Sequence, residues 1–176
     1  MDKILWVDLE MSGLDVEKEV IIEVAAIVTD HKMTPQDQYH SVVKQPQKYI
    51  ENMDEWNKTH HGRSGLIDKI PRGNDPVDVE DDLISFVKKH FPNEMPILAG
   101  NSINQDRIFI NKYFPRLASM LHYRMLDVSS WKLVFKFMYN MRFEKTETHQ
   151  AMDDIKESIA EMKYYLEFID VKKGRK

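Results

Sequence analysis

The pattern of apolar and polar positions breaks the chain into short strands followed by strands that alternate with helices. Residues 3–10, KILWVDLE, read as a strand, residues 20–30, VIIEVAAIVTD, as a second and residues 37–44 as a third. Ser12-Gly13-Leu14-Asp15 marks a turn between the first two. Residues 47–70 look like short helices and loops. Val79, Leu83, Phe86 and Val87 recur at helical spacing and predict a helix over about 77–90, with Asp75-Pro76 at its start. PILAG at 96–100 reads as a short buried strand, and a further strand is expected near 124–128. Helices are expected at about 103–117, 129–139 and 150–169. This order implies an α/β sandwich built on a mixed sheet. With no internal repeat, low-complexity stretch or linker, residues 1–170 are expected to form one domain. The run Lys172-Lys173-Gly174-Arg175-Lys176 is expected to be part of a disordered, solvated tail over 171–176.

Composition narrows the function classes. The 176 residues are 42% apolar and 31% charged, an ordinary balance for a folded chain with a sizeable core. No apolar run is long enough to span a membrane. The sequence enters a strand-like run directly after Met1-Asp2, and no targeting segment is visible. Cysteine is absent, which excludes disulfides and thiolate metal sites. A cytoplasmic location is expected on these grounds, with an organelle as the alternative. The formal net charge is −4, and no basic stripe for following a long polyanion is evident. A polyanionic substrate would therefore be small, with protein-held cations offsetting an acidic site.

The acidic residues carry the chemistry. Strand alternation puts Ile4, Trp6, Asp8 and Glu10 on one face and Leu5, Val7 and Leu9 on the other. Two carboxylates side by side at the end of an apolar strand repel each other and resist desolvation, and a divalent cation relieves both. The Asp-x-Glu spacing recurs at Asp15/Glu17 and Asp78/Glu80, but in polar surroundings, where solvated side chains are expected. On a helix over 103–117, Asp106 falls inside the apolar stripe of Ile103, Ile110, Tyr113, Phe114 and Leu117, too far in for a cap. A core-facing carboxylate needs a cation or several hydrogen bonds. On the last helix Asp154 sits at the rim of the arc formed by Ala151, Ile155, Ile159, Met162, Leu166 and Ile169, whereas Asp153 points into solvent. His149 stands beside that helix start, and an imidazole with an ordinary pKa of about 6.5 suits proton abstraction near neutrality. The pair His122/Asp127 repeats the His149/Asp154 spacing, and hydrogen bonding or substrate contact is the expectation for it. Oxygen-only ligands suit Mg²⁺ or Mn²⁺, and two such ions about 4 Å apart commonly cleave phosphodiesters.

Taken together, Asp8-x-Glu10, then Asn101-Ser102-Ile103-Asn104-Gln105-Asp106-Arg107, then His149-Gln150-Ala151-Met152-Asp153-Asp154 resemble the three motifs of the DEDD exonuclease family, in its histidine-containing branch. WVDLEMSGLD, IIEVAAIVTD, DEWN, GNSINQDR, HYRMLDVSS and THQAMDDIKESIAE extend the likeness over nearly the whole chain, and it is strongest to members acting on oligoribonucleotides of a few residues. The resemblance implies an RNase H-like exonuclease fold with a five-stranded mixed sheet flanked by helices, and a homodimer. It implies two Mg²⁺ or Mn²⁺ ions on Asp8, Glu10, Asp106 and Asp154, with His149 as general base. Leu14 and Trp56 resemble base-contacting residues. Tyr123 and Arg124 resemble residues delivered from the partner subunit. Ser102, His61 and Ser129 resemble groups around a 5′ phosphate, with His60 as the alternative to His61.

The function this implies is a 3′-to-5′ exoribonuclease that hydrolyses short oligoribonucleotides, dinucleotides above all, by a two-metal mechanism. A general 3′–5′ exonuclease of longer DNA or RNA single strands is the alternative. A non-catalytic binding module is a third reading, against which stands the presence of all four carboxylates.

Overall fold

A computed structural model of the chain describes residues 2–144 and 151–169. Five strands form one mixed sheet in the order β3-β2-β1-β4-β5. They are β1 (Lys3–Met11), β2 (Ile21–Asp30), β3 (Pro35–Val42), β4 (Leu98–Gly100) and β5 (Met125–Asp127). The first three form an antiparallel meander, and β4 and β5 add in parallel on the far side of β1. The antiparallel strands need only tight turns, whereas each parallel addition follows a helical crossover.

Side-chain alternation along β1 splits the core as the sequence predicts. Leu5, Val7 and Leu9 pack with α4 (Pro76–His90), α5 (Ile103–Tyr113) and α6 (Pro115–Ala118). Trp6, on the other face, packs with α7 (Val128–Tyr139) and α8 (Ala151–Glu167), and its indole N–H donates to Thr29 Oγ1 at 3.0 Å. Two short helices, α1 (Gln47–Glu51) and α3 (Leu66–Lys69), with a 3₁₀ turn at Ile70–Arg72, close a smaller core around Val20 and Ile22, and α2 (Glu55–Arg63) lies between them in the chain.

Three expectations need correction. Leu166 and Ile169, expected on the buried arc of the last helix, are both exposed, and Ile169 lies past the end of α8 at Glu167. The helix expected over 103–117 ends at Tyr113 and restarts as α6 at Pro115. Proline has no N–H to give and disfavours helical geometry in the residue before it, here Phe114. Glu80, expected in solvent, is buried. Its carboxylate accepts from the backbone N–H groups of Arg116 and Leu117 and pairs with the Arg116 guanidinium at 2.7 Å. It thereby satisfies the amides that the break leaves open at the start of α6.

Candidate active site

The site lies where β4 stops short of β1. Only Leu5 and Trp6 of β1 pair with β4. Gly100 ends that strand pressed against β1, where a Cβ would come within 2.8 Å of the Val7 carbonyl oxygen. The chain then turns through Ser102 in left-handed conformation (φ 52°) and enters α5. Asp106, one turn into α5, fills the edge β4 leaves open, and its Oδ1 accepts the Leu9 N–H at 2.9 Å. It is 6% exposed. Burial raises its carboxyl to about 7, although the Leu9 hydrogen bond pulls the other way.

Asp8 and Glu10 emerge on the opposite face, toward α8. Oxygens of Asp8, Glu10 and Asp154 lie within 4.8 Å of one another. Glu10 is pushed up to about 8 by burial first, then by the charges of Asp154, Glu23 and Asp106. Three carboxylates of such proximity, with a fourth behind them, favour a bound cation or retained protons. The set is all oxygen and fits a hard divalent ion. Asp153, one residue from Asp154, turns away and pairs with Lys156 at 3.0 Å.

Next to the carboxylates opens a cavity of about 430 Å³ lined by Glu10, Met11, Leu14, Asp54, Trp56 and Asn57. Leu14 and Trp56 are 73% and 67% exposed, so neither belongs to the core. Gln105, next to Asp106, donates to the Leu14 carbonyl at 2.9 Å and ties that loop to α5. Trp56 stacks on His60, one turn along α2, with ring centroids 4.6 Å apart. His61 is buried beside Glu10.

Ser102 and Ser129 meet at the adjoining rim, their Oγ atoms 3.1 Å apart. Asp127 Oδ1 accepts the N–H groups of both serines, at 3.0 and 2.9 Å, and so holds the left-handed turn against the start of α7. His122 Nδ1 accepts the Arg124 N–H at 3.0 Å. The His122/Asp127 pair is therefore accounted for by turn and cap hydrogen bonds. Tyr123 and Arg124 are not brought to this site. Register through β4 sets Met125 level with Leu5, so Arg124 stands about six residues, or roughly 20 Å, down the sheet from Glu10. The Arg124 guanidinium lies 5.2 Å from the Tyr123 ring centre in the same subunit. His149 and the tail over 171–176 lie outside the described residues.

Sequence reasoning missed three residues of the surroundings. Glu23 faces Glu10 across β1 and β2, is 7% exposed, and has His40 Nε2 at 2.8 Å. An acid inside the apolar run VIIEVAAIV was the available signal. Asn101 joins the serine rim to α8. Its amide donates to Ser158 Oγ at 2.7 Å and Glu161 Oε2 at 3.2 Å, and its Oδ1 accepts from Ser129. Glu161, fully buried, also accepts from Tyr165 at 2.8 Å. An acid at a core position of the last helix was its signal.

A sheet of this order, flanked by helices, with carboxylates from its central strand and from a helix on each face, defines an exonuclease of the RNase H-like class. Residues 5–162 match the RNase_T exonuclease family. The chain is 44% identical over 170 residues to an oligoribonuclease of Shewanella loihica, covering 93% of each. It is 45% identical to a probable oligoribonuclease of Caenorhabditis elegans, covering 97% of this chain and 90% of that one. It is 38% identical to the mitochondrial oligoribonuclease of Homo sapiens, covering 97% and 75%. The fold is also that of exonuclease I from Methylocaldum szegediense (TM-score 0.72, 15% identity) and of E. coli exonuclease I in complex with a dA16 oligonucleotide (TM-score 0.71, 13% identity). This chain covers 96% and 93% of itself in those matches and spans 41% and 40% of the larger proteins. The chain belongs to the oligoribonucleases within the exonuclease family. Among the described residues, no helix is long and apolar enough to cross a membrane.

Proposed function

We propose that the protein hydrolyses short oligoribonucleotides from the 3′ end, with dinucleotides as its best substrates. The observation that carries this reading is the meeting of Asp8, Glu10 and Asp154 within 4.8 Å beside buried Asp106, on the edge of a small open cavity. In it, Asp8, Glu10, Asp106 and Asp154 hold two divalent cations, Mg²⁺ or Mn²⁺. When bound, such ions supply a water of lowered pKa and stabilise charge on the departing 3′ oxygen. His149 takes the proton of the attacking water. Leu14 and Trp56 hold bases by stacking and wedging, which depends little on sequence. Ser102 and Ser129 receive the 5′ phosphate at the serine rim, with His61 as a third contact to it.

The pocket is completed in a homodimer. Tyr123 and Arg124 stand too far from Glu10 to serve their own site, which supports delivery to a partner. On α7, Leu133, Val134, Phe137 and Met138 share one exposed face, Phe137 and Met138 being 76% and 75% exposed. An apolar helix face of that kind suits a second copy of the chain. Arg124 of one subunit then binds the phosphate held by Ser102 and Ser129 of the other. We take the cytoplasm as the compartment, an organelle being the alternative in view of the human relative's name.

The test is kcat/KM for RNA of two, three, five and ten nucleotides under one salt and Mg²⁺ condition. A pocket closed behind the second nucleotide predicts a steep fall beyond the dinucleotide. A flat or rising series moves the reading to a general 3′–5′ exonuclease.

A further inference from the structure

Glu10 has a second set of neighbours besides Asp8 and Asp154. His61 lies 2% exposed in the last turn of α2. Its Nε2 is 3.0 Å from the Met11 carbonyl. A carbonyl only accepts, so this nitrogen carries the proton in the neutral ring. The bond thereby fixes the tautomer and turns the Nδ1 lone pair outward, 3.9 Å from Glu10 Oε2. His60, the preceding residue, sets its ring edge-on to His61, with centroids 5.4 Å apart, while its face stacks on Trp56. One donor atom each from Glu10, His60 and His61 fall within 4.8 Å of one another.

Two imidazoles and a carboxylate differ in kind from the all-oxygen cluster beside them. They suit a borderline divalent ion of the zinc type. The His61 ring already has the arrangement typical of a ligand, one nitrogen tied to a backbone carbonyl and the other presented. Donors around a tetrahedral zinc ion stand about 3.3 Å apart, so the three must close by roughly 1.5 Å at most. Glu10 and His60 are only partly buried.

We propose that Glu10, His60 and His61 form a zinc-selective site adjoining the carboxylate cluster and sharing Glu10 with it. Zinc held there draws Glu10 away from Asp8 and Asp154 and fixes His60 against Trp56. The site thus acts as a brake on the enzyme. That consequence for turnover rests on the proposed catalytic role of Glu10, whereas the binding itself does not.

The experiment measures binding, with no substrate present. Zn²⁺ affinity is determined by calorimetry on wild type, His60→Gln and Asp154→Asn, each checked for folding by circular dichroism. The site predicts a loss of tenfold or more in His60→Gln and little change in Asp154→Asn. In wild type, the imidazole ¹⁵N resonances of two histidines should shift on adding one equivalent of Zn²⁺, and one of them should vanish in His60→Gln. Affinity that is kept in His60→Gln and falls in Asp154→Asn places the ion in the carboxylate cluster and overturns the proposal. So does a wild type saturated with Zn²⁺ whose histidine resonances have not moved. Zinc binding at the predicted residues without inhibition in Mg²⁺ leaves the site standing and removes only the role assigned to Glu10.

Discussion

At the scale of single residues, the site is a balance between carboxylate repulsion and cation binding. Asp106→Asn should abolish turnover in Mg²⁺ while keeping the fold, because the amide still accepts the Leu9 N–H but brings no charge. Asp153→Asn, which loses a surface pair with Lys156, is the matched control and should stay within a few-fold of wild type. Activity of Asp106→Asn within a few-fold of wild type would remove this carboxylate from the mechanism. A pH effect follows from the same balance. Folding raises Glu10 from 4.5 to about 8 and Asp106 from 3.8 to about 7. A group with a raised folded pKa favours the native state below its unfolded value, and that advantage is lost as pH climbs to the folded value. Without divalent ions, the melting temperature should therefore carry a falling component between pH 5 and about 8. His61, kept below its ordinary 6.5 by burial, contributes in the opposite sense at the lower end of that range. The diagnostic quantity is thus the difference between wild type and Glu10→Gln. The variant should gain stability relative to wild type as pH rises, and saturating Mg²⁺ should reverse the ranking. Parallel curves would mean that Glu10 is not held under charge stress.

At the scale of elements, α8 carries Asp154 and is keyed to the sheet by a polar contact. Asn101 at the end of β4 reaches Ser158 and Glu161 on α8 with one amide and Ser129 on α7 with its oxygen. Replacing Asn101 by Ala deprives buried Glu161 of a donor, and the stability cost should be about 1–3 kcal/mol in chemical denaturation. The variant should also lose activity beyond that stability loss, measured well below its melting temperature, because both the serine rim and α8 lose a common anchor. An Asn101→Ala enzyme with normal kcat and KM would reduce the contact to a structural one. How the elements lie was partly legible in the sequence. The alternation on β1 and the stripe carrying Asp106 were correct because each depends only on local periodicity. The break at Phe114 was signalled by Pro115, yet apolar residues continue across it, and periodicity alone runs the two helices together.

At the scale of the whole molecule, the proposal requires two copies. Phe137→Glu should convert a dimer to a monomer on the exposed face of α7 and cut dinucleotide hydrolysis by an order of magnitude or more. Sedimentation and kinetics on the same sample check this, and a fully active monomer would end the shared-site reading. Subunit mixing is the complementary test. Asp106→Asn and Arg124→Ala homodimers should each be nearly inactive. The mixed dimer holds one site with Asp106 and the partner's Arg124 both intact, so activity should partly return. No recovery despite demonstrated subunit exchange would count against donation across the interface.

The sequence by itself determined the order of strands and helices and the inward direction of Asp8, Glu10 and Asp106, because strand and helix periods follow from local backbone geometry. It also supplied the motifs by which the chain is recognised as an exonuclease. Tertiary structure decided which of these residues meet. Asp106 reaches Leu9 only because β4 ends after three residues and leaves an edge of β1 open. Glu80 is buried because backbone amides 36 and 37 residues later need its carboxylate, a requirement no local window contains. Arg124 and Glu10 are parted by the parallel register of β1, β4 and β5, which is a property of the assembled sheet. Contacts of this kind join residues far apart in the chain, and only the packed fold brings them together.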